Sequence, residues 1–312
     1  MLGLRWILSS TTCKRHENFK KKLPFTSGES CGTPALNDKV IFMSGASSGL
    51  GAAAAEYLKS VGADVHCASR SKGKFDEEHF YKLDLSDLDS VDRCAELFLK
   101  DHPNCDTFVL CSGVLDPSGK MSPTKNGCEV HFGINYIGHY RLIQKILPAL
   151  KANKGRVVIV SSLTAQLCSR LELIDEAPYT LRKGFSAYGQ SKLAIAMMVK
   201  ELARQNPEVG FYAVDPGIVR TGITRTIPGF IDRLWAWLPI APTPDAGCQT
   251  ILECVMAPKH ELGNGCVFRN CKIVAQRNSH NYTEDATSEL YKRTFKLVAQ
   301  FMDELAIQTK TK

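Results

Sequence analysis

The feature that most narrows what this chain can fold into is a strand, a glycine turn and an alanine-rich helix in immediate succession. Val40-Ile41-Phe42-Met43 is a short apolar run, Ser44-Gly45-Ala46-Ser47-Ser48-Gly49-Leu50-Gly51 follows it, and Gly51 to Ser60 reads as a helix that Gly62 ends. From about Lys39 the alternation repeats. Apolar runs at Ala63 to Ala68, Phe80 to Leu83, Thr107 to Cys111, Arg156 to Ser161 and Val209 to Val214 read as strands two to six, and Cys266 to Phe268 as the last. Helical periodicity lies near Asp87 to Lys100, Lys125 to Leu150 and Ser186 to Arg204, and again from about Glu284. Apolar runs of this kind are what strands buried on both faces require. The pattern therefore predicts an α/β fold: a doubly wound parallel sheet of about seven strands with helices on both faces. No repeat and no second core is visible, so residues 38–312 read as one domain behind a basic extension, residues 1–37.

Composition closes several other routes. With 44% hydrophobic and 23% charged residues in 312, the chain has ordinary globular proportions. Its formal charge of +7 comes from scattered lysines and arginines, with no basic run interleaved with aromatics, so nucleic acid is not an expected partner. The twelve cysteines are dispersed without a C-x-x-C pair or zinc-type histidine spacing. They read as reduced, mostly buried thiols of an intracellular protein, and no metal site is expected. Asn281-Tyr282-Thr283 matches a glycosylation sequon, but nothing else looks secreted. Residues 1–37 carry Arg5, Lys14, Arg15, Lys20, Lys21 and Lys22 against Glu17 and Glu29, which resembles a mitochondrial presequence. A disordered arm or a membrane-surface helix led by Leu4, Trp6, Ile7 and Leu8 is the other reading, so a cytoplasmic or mitochondrial location stays open. No stretch reaches the length of a transmembrane helix. Between Pro228 and Pro244, Phe230, Ile231, Leu234, Trp235, Trp237, Leu238 and Ile240 crowd one amphipathic segment. It reads as a lid over an apolar substrate, a peripheral membrane contact, or a buried helix.

Two motifs carry chemistry. A strand, a glycine turn and a helix place unpaired backbone N–H groups and the positive helix end where a pyrophosphate can sit. Gly45 serves the tight turn, Gly49 the approach of phosphates and Gly51 close helix packing, while Ser47 and Ser48 add hydroxyl donors. Far downstream, Tyr188 and Lys192 are one helical turn apart, so the ammonium can lie beside the phenol and ease loss of its proton.

The Gly-x-x-x-Gly-x-Gly spacing together with Tyr188 and Lys192 resembles the short-chain dehydrogenase/reductase family. Further stretches match it: Asp84-Leu85 after strand three, Asn135 in Gly133-Ile134-Asn135-Tyr136, the Ser161-Ser162 pair, and Asp215-Pro216-Gly217-Ile218-Val219-Arg220-Thr221. The string Tyr188-Gly189-Gln190-Ser191-Lys192-Leu193-Ala194, Pro228-Gly229-Phe230 and the stretch from Gly263 to Lys272 are similar to the retinol-dehydrogenase-like branch and its orphan members. The resemblance runs from about Lys39 to Ala275. It implies a Rossmann-type fold and a catalytic tetrad of Asn135, Ser162, Tyr188 and Lys192. Ser162 would bond the carbonyl oxygen, Tyr188 would exchange the proton, Lys192 would bond the cofactor ribose, and Asn135 would hold a water linking Lys192 to solvent. The resemblance also implies that Gly45, Ser47, Ser48, Gly49, Leu50, Gly51, Ser112, Gly113, Pro216 and Gly217 line the cofactor. Asp84 would then bond the adenine amino group, with Leu85 beside it, and Val219 and Thr221 would fix the nicotinamide carboxamide.

At the end of strand two, where an acid would hold the ribose hydroxyls of NAD, the chain has Ser69, followed by Arg70. An arginine pairs with a 2′-phosphate, so NADP(H) is expected ahead of NAD(H). Two departures stand out. Leu110-Cys111-Ser112-Gly113 replaces the family's Asn-Asn-Ala-Gly, removing asparagine amides that brace the central strands, and the loop from Ser71 to His79 leaves little room for a helix. Gly113 is expected to face the adenosine ribose. The expectation is an NADP-dependent oxidoreductase that interconverts a lipophilic alcohol and its carbonyl, of retinoid, steroid or fatty aldehyde or ketone class. A homodimer through the long middle helices is expected with it. A non-catalytic NADP(H)-binding scaffold or redox sensor is the competing reading.

Overall fold

The computed structural model describes residues 36–37, 39–172, 184–217, 219 and 243–310, the side chains of 304–310 excepted. The basic arm and nearly all of the Pro228 to Pro244 segment lie outside these residues.

One sheet runs through the molecule. Its strands are β1 (Val40–Ser44), β2 (Asp64–Ser69), β3 (Phe80–Lys82), β4 (Thr107–Leu110), β5 (Arg156–Val160), β6 (Gly210–Val214), β7 (Val267–Arg269) and β8 (Lys272–Ile273). They lie in the order β3-β2-β1-β4-β5-β6-β7-β8, all parallel except the last pair. Period-two alternation divides the buried residues between two layers. Phe42, Phe108, Leu110, Val157, Ile159, Phe211 and Ala213 face one side. There they meet α2 (Leu88–Asp101), α3 (Gly138–Ala152) and α4 (Phe185–Gln205). Ile41, Met43, Val109, Val158, Val160, Tyr212 and Val214 face the other, against α1 (Gly49–Ser60) and α5 (Gln249–Met256). Two-sided burial is why these strands read as unbroken apolar runs.

Four details differ from the sequence expectation. The helix expected over Lys125 to Leu150 starts only at Val130. Ahead of it, turn bonds from Lys125 N to Ser86 O (3.0 Å) and from Gly127 N to Thr124 O (2.8 Å) hold the chain, chemistry that Pro123 and Asn126-Gly127 signal. Its first turns also widen into a π-turn, Phe132–Ile137, before α3 begins. An eighth strand closes a two-residue hairpin in which Asn270 and Cys271 both take positive φ (52° and 56°), as a type I′ turn demands. Finally, the one-turn helix Pro244–Gly247 and α5 follow a Thr243 cap that accepts from Ala246 N, an N-terminus with proline in its first turn.

The last helix, α6 (Glu284–Lys310), lies over α3 and α4 on the side away from the sheet. Its inward stripe, Leu290, Thr294, Val298 and Phe301, follows helical spacing and is buried. Glu201 of α4 is the polar anchor, accepting from Arg204 (2.6 Å), Gln205 (2.7 Å), Thr287 (3.0 Å) and Ser288 (3.0 Å). Burial alone would raise this carboxyl, but those four donors outweigh it and hold the group at about 2, below its ordinary 4.5. The folded state therefore binds the Glu201 proton less readily than the unfolded chain. Stability from this anchor is complete above pH 4.5 and is lost as the pH falls toward 2. Urea unfolding is expected to show a stability decrease over that acid range that is smaller in Glu201→Gln, which starts less stable at neutral pH.

Candidate active site

The strand order reverses between β1 and β4, and the crevice at their carboxyl ends is where open α/β sheets take ligands. β1 delivers the glycine turn there. Gly45 has φ of +73°, and a Cβ built on it would lie 2.8 Å from the Ser112 backbone nitrogen. A Cβ on Gly51 would lie 2.3 Å from the Gly45 carbonyl, so α1 sits as close to the turn as a glycine permits. Ser48 is exposed and begins α1 without using its hydroxyl as a cap, and no acid occupies the first helical turn. The amides of Gly49, Leu50 and Gly51 lie within that first turn, where an intrahelical acceptor is lacking. This end of the crevice is suited to an anion.

The loop after β2 folds against the turn, with Gly73 packed on Ser47 and the Gly45 N–H bonded to the Ala68 carbonyl (3.0 Å). The Ser69 hydroxyl turns to the Ser71 carbonyl, whereas Arg70 is exposed and pairs with no carboxylate among the described residues. Lys72, by contrast, pairs with Glu77. Asp84 accepts from the Ser86 N–H (2.9 Å) and hydroxyl (2.7 Å) through one oxygen and leaves the other without a partner among the described residues. The Leu85 backbone packs on Gly138. On the far wall Leu50 and Val219 converge on Gly247, and the Gly217 N–H closes onto Asp215, which Arg269 holds in a buried ion pair. Pro216 stands between Asp215 and Gly217 in this tight turn, and Thr221 lies outside the described residues.

The four expected catalytic residues come together from the π-turn, β5 and α4. Asn135 has no exposure; its Oδ1 accepts from the Val114 N–H (2.8 Å) and its Nδ2 donates to the Val114 carbonyl (3.0 Å) and the Ser191 hydroxyl (3.1 Å). Ser161 and Ser162 separate cleanly in role. Ser161 is buried and donates to the Lys192 carbonyl (2.9 Å), while the Ser162 oxygen accepts from Thr164 N (3.2 Å) and its hydroxyl is near enough to the Tyr188 phenol to favour ionisation. Burial pushes the Tyr188 phenol up to about 12, Ser162 pulls it down, and the Asp215 charge adds to the rise. Burial pushes the Lys192 ammonium down to about 8, and the Cys111 sulfur opposes that.

Three details of these residues were not legible in the sequence. Lys192 does not ease the phenol toward its ionised form: its Nζ donates to the Val160 carbonyl (2.8 Å) and stands 5.7 Å from the Tyr188 ring centre. A buried ammonium takes the nearest strong acceptor, and burial dominates the phenol. A Cβ on Gly113 would meet Asn135 Oδ1 at 3.1 Å and Lys192 Nζ at 3.5 Å, so only glycine leaves this wall clear. The bracing lost with the family's asparagines is supplied elsewhere, by Asn135 on Val114 and by the Ser44 hydroxyl, which accepts from Ser112 N (3.3 Å).

Two histidines escaped the sequence reading. His139, 1% exposed, donates from Nδ1 to the Asn135 carbonyl (2.8 Å), and its Nε2 has no partner among the described residues. Burial pushes it down to about 4, so it is neutral and carries its proton on Nδ1. The Asn135 carbonyl thus takes an imidazole. His131 accepts the Asp116 N–H at Nε2 (2.9 Å) and donates from Nδ1 to Glu129 (2.6 Å), with its ring edge-on to Tyr188 at 6.1 Å. It ties the loop after β4 to the tyrosine. The i, i+4 spacing of Asn135 and His139 was the available signal; nothing local marked His131.

Between Ser162 and Tyr188, residues 163–172 and 184–187 are described. Gln190 anchors it, donating to the Arg170 carbonyl (2.8 Å) and accepting from Glu172 N (2.8 Å). The geometry sets two expectations. Asn135→Leu strands two Val114 backbone groups, each costing about 1–3 kcal/mol, and a urea titration should show the loss. Gly51→Ala forces α1 off the turn, costing about 1–3 kcal/mol and weakening dinucleotide binding in a fluorescence titration.

The comparisons with known proteins agree with this architecture. The short chain dehydrogenase family model matches residues 39–229. Mouse Retinol dehydrogenase 12 is 34% identical over 266 residues, covering 80% of this chain and 83% of its own, and human Retinol dehydrogenase 11 is 31% identical over 264, covering 80% and 82%. The ligand-free aldohexose dehydrogenase of Thermoplasma acidophilum superposes with a TM-score of 0.61 at 20% identity, over 76% of this chain and 94% of that one, a likeness of fold alone. A nicotinamide dinucleotide is the cofactor that membership of the family implies, and the glycine cradle and free helix amides suit it. The chain belongs to the short-chain dehydrogenase family and is an oxidoreductase acting on CH–OH groups.

Proposed function

We propose that the chain interconverts a lipophilic alcohol and its carbonyl with NADP(H), using Tyr188 as the acid and base. The observation that carries this is the buried Tyr188 phenol, close enough to Ser162 to be lowered by it and one helical turn from Lys192, beside the glycine crevice. When bound, the nicotinamide supplies or accepts the hydride. The chain's own task is then to hold the carbonyl and move one proton. Ser162 directs a hydroxyl at the oxygen on which charge develops. Tyr188 gives its proton to that oxygen in reduction and takes it back in oxidation. Lys192 supplies a positive charge in a region of low dielectric, held by Val160, and Asn135 with His139 positions the helix start behind it.

NADP(H) is preferred on this reading because Arg70, exposed and paired with no carboxylate among the described residues, follows the end of β2, where Ser69 stands instead of an acid. The substrate class is supported by the names of the retinol dehydrogenases above and by Leu167 and Phe185, exposed apolar residues that flank Ser162 and Tyr188 in the chain.

Purified protein is expected to oxidise NADPH with members of a panel of retinal, steroid ketones and fatty aldehydes. Tyr188→Phe should lower the rate about 10²–10⁴-fold. Arg70→Ala should weaken NADP(H) about tenfold or more and leave NAD(H) nearly unchanged. Because the phenol sits near 12, it keeps its proton through neutral pH. Reduction should then be flat in this range, whereas oxidation, which needs the phenolate, should rise by up to about tenfold per pH unit. Tight NADPH binding with no turnover on any panel member would replace the enzyme by a dinucleotide-binding scaffold.

A further inference from the structure

Asn281-Tyr282-Thr283 has the form of a glycosylation sequon, yet the Asn281 side chain is engaged inside the fold. It is 3% exposed, and its Nδ2 donates to the Ser169 carbonyl (3.1 Å), which puts it out of reach of a glycosyl donor. Its neighbours bond to the same stretch. Asn278 Nδ2 donates to the Cys168 carbonyl, with the Gln166 carbonyl at 3.5 Å, and His280 Nε2 donates to the Ser169 carbonyl (2.5 Å). In return the buried Gln166 side chain accepts from Arg277 N (2.9 Å) and donates to Gln276 Oε1. Ser279–Tyr282 is a 3₁₀ turn preceded by Asn278, and residues three apart on such a turn nearly eclipse. Asn278 and Asn281 are so spaced.

The stretch they hold is the one that leaves Ser162. Leu163–Leu167 is a single 3₁₀ turn, too short to supply donors to the carbonyls at and beyond its end, and residues 278–281 supply them instead. On its other side the stretch lies against the helix bearing Tyr188. A Cβ on Gly189 would stand 2.9 Å from Cys168 Sγ, and Gln190 takes backbone groups of Arg170 and Glu172. The same stretch carries Leu167, 60% exposed. Given the alcohol and carbonyl interconversion inferred above, on which this rests, we propose that Gln276 to Asn281 form a strap that determines substrate size. The strap holds the loop after Ser162, with Leu167, as a preformed apolar wall for long or bulky substrates. A wall that is already ordered costs the substrate no loop entropy on binding, and the gain grows with the apolar area it touches. A small aldehyde that reaches Ser162 and Tyr188 without touching the wall gains nothing from it.

The test sets full-length wild type beside the double variant Asn278→Ala, Asn281→Ala. Kinetics with NADPH are read on retinal, decanal and propanal, NADPH affinity by fluorescence, and amide exchange by mass spectrometry. In the double variant residues 163–172 should exchange at least about tenfold faster. KM for retinal and decanal should rise about tenfold, while kcat, KM for propanal and NADPH affinity stay within about twofold. Asn278→Asp, which keeps the shape and loses the donor, should move the same quantities in the same direction. Unchanged exchange over 163–172 would overturn the strap, as would a KM that rises equally for propanal and retinal, or a parallel fall in kcat or NADPH affinity. A wild type that turns over none of the three sinks the reaction instead. The strap is then decided by retinal binding, read by its absorbance: binding about tenfold weaker in the variant upholds it, and equal binding overturns it. Should the double variant fail to fold, Asn278→Asp, at a half-buried position, carries the same comparison.

Discussion

The side-chain amide of Asn135 makes three hydrogen bonds in a place that water does not reach, and the crevice is organised around them. Its oxygen and nitrogen take both backbone groups of Val114, fixing the chain as it leaves β4, and the nitrogen also reaches Ser191 on α4. Ser191 in turn donates to the Tyr188 carbonyl (2.7 Å). One amide thereby sets the spacing between the loop after β4, the π-turn and the helix bearing Tyr188 and Lys192. The helix opens with a π-turn, in which the Asn135 carbonyl accepts from His139 Nδ1 while the side chain reaches Val114 and Ser191. With the bracing asparagines after β4 replaced by Leu110 and Cys111, the site relies on this amide alone among the side chains that reach Val114 in the described residues.

Burial explains the electrostatics of the site better than pairing does. Neither the phenol nor the ammonium has an ionised partner at bonding distance among the described residues. Desolvation therefore dominates both, raising the tyrosine to about 12 and lowering the lysine to about 8. Their ordinary values are nearly equal; inside the protein the lysine becomes the more acidic of the two. An ammonium beside a neutral phenol suits a proposed proton donor in reduction, and the reverse direction demands further positive charge near the ring.

The outer helical layer follows from the same accounting of polar groups. A helix as apolar as α4 leaves a second face that must be covered, and α6 covers it with a narrow stripe flanked by hydrogen bonds to Glu201, Tyr136 and Gln144. On the opposite layer Arg156 performs a comparable service, giving one guanidinium nitrogen to the carbonyls of Cys254, Val255 and Ala257 where α5 ends. Both are long-range closures of groups that local structure leaves open.

The sequence by itself determined the parallel sheet, because strands buried on both faces must read as apolar runs such as Val157 to Val160, and it determined the glycine turn, because only glycine tolerates Gly45 φ and the approach of Gly51. It also marked Tyr188 and Lys192 by spacing, while Asn135 and Ser162 followed from the resemblance to the family. Strand ends and the start of the π-turn were harder to read, since Pro123 and Asn126-Gly127 sit inside a stretch whose hydrophobic period continues through them. Tertiary structure alone decided where Lys192 points, which of Ser161 and Ser162 faces the phenol, that Gly113 meets Asn135, and that the last helix shields α4. Each of these depends on which distant carbonyl, hydroxyl or apolar face lies within a few ångströms, and a linear pattern carries no record of such neighbours.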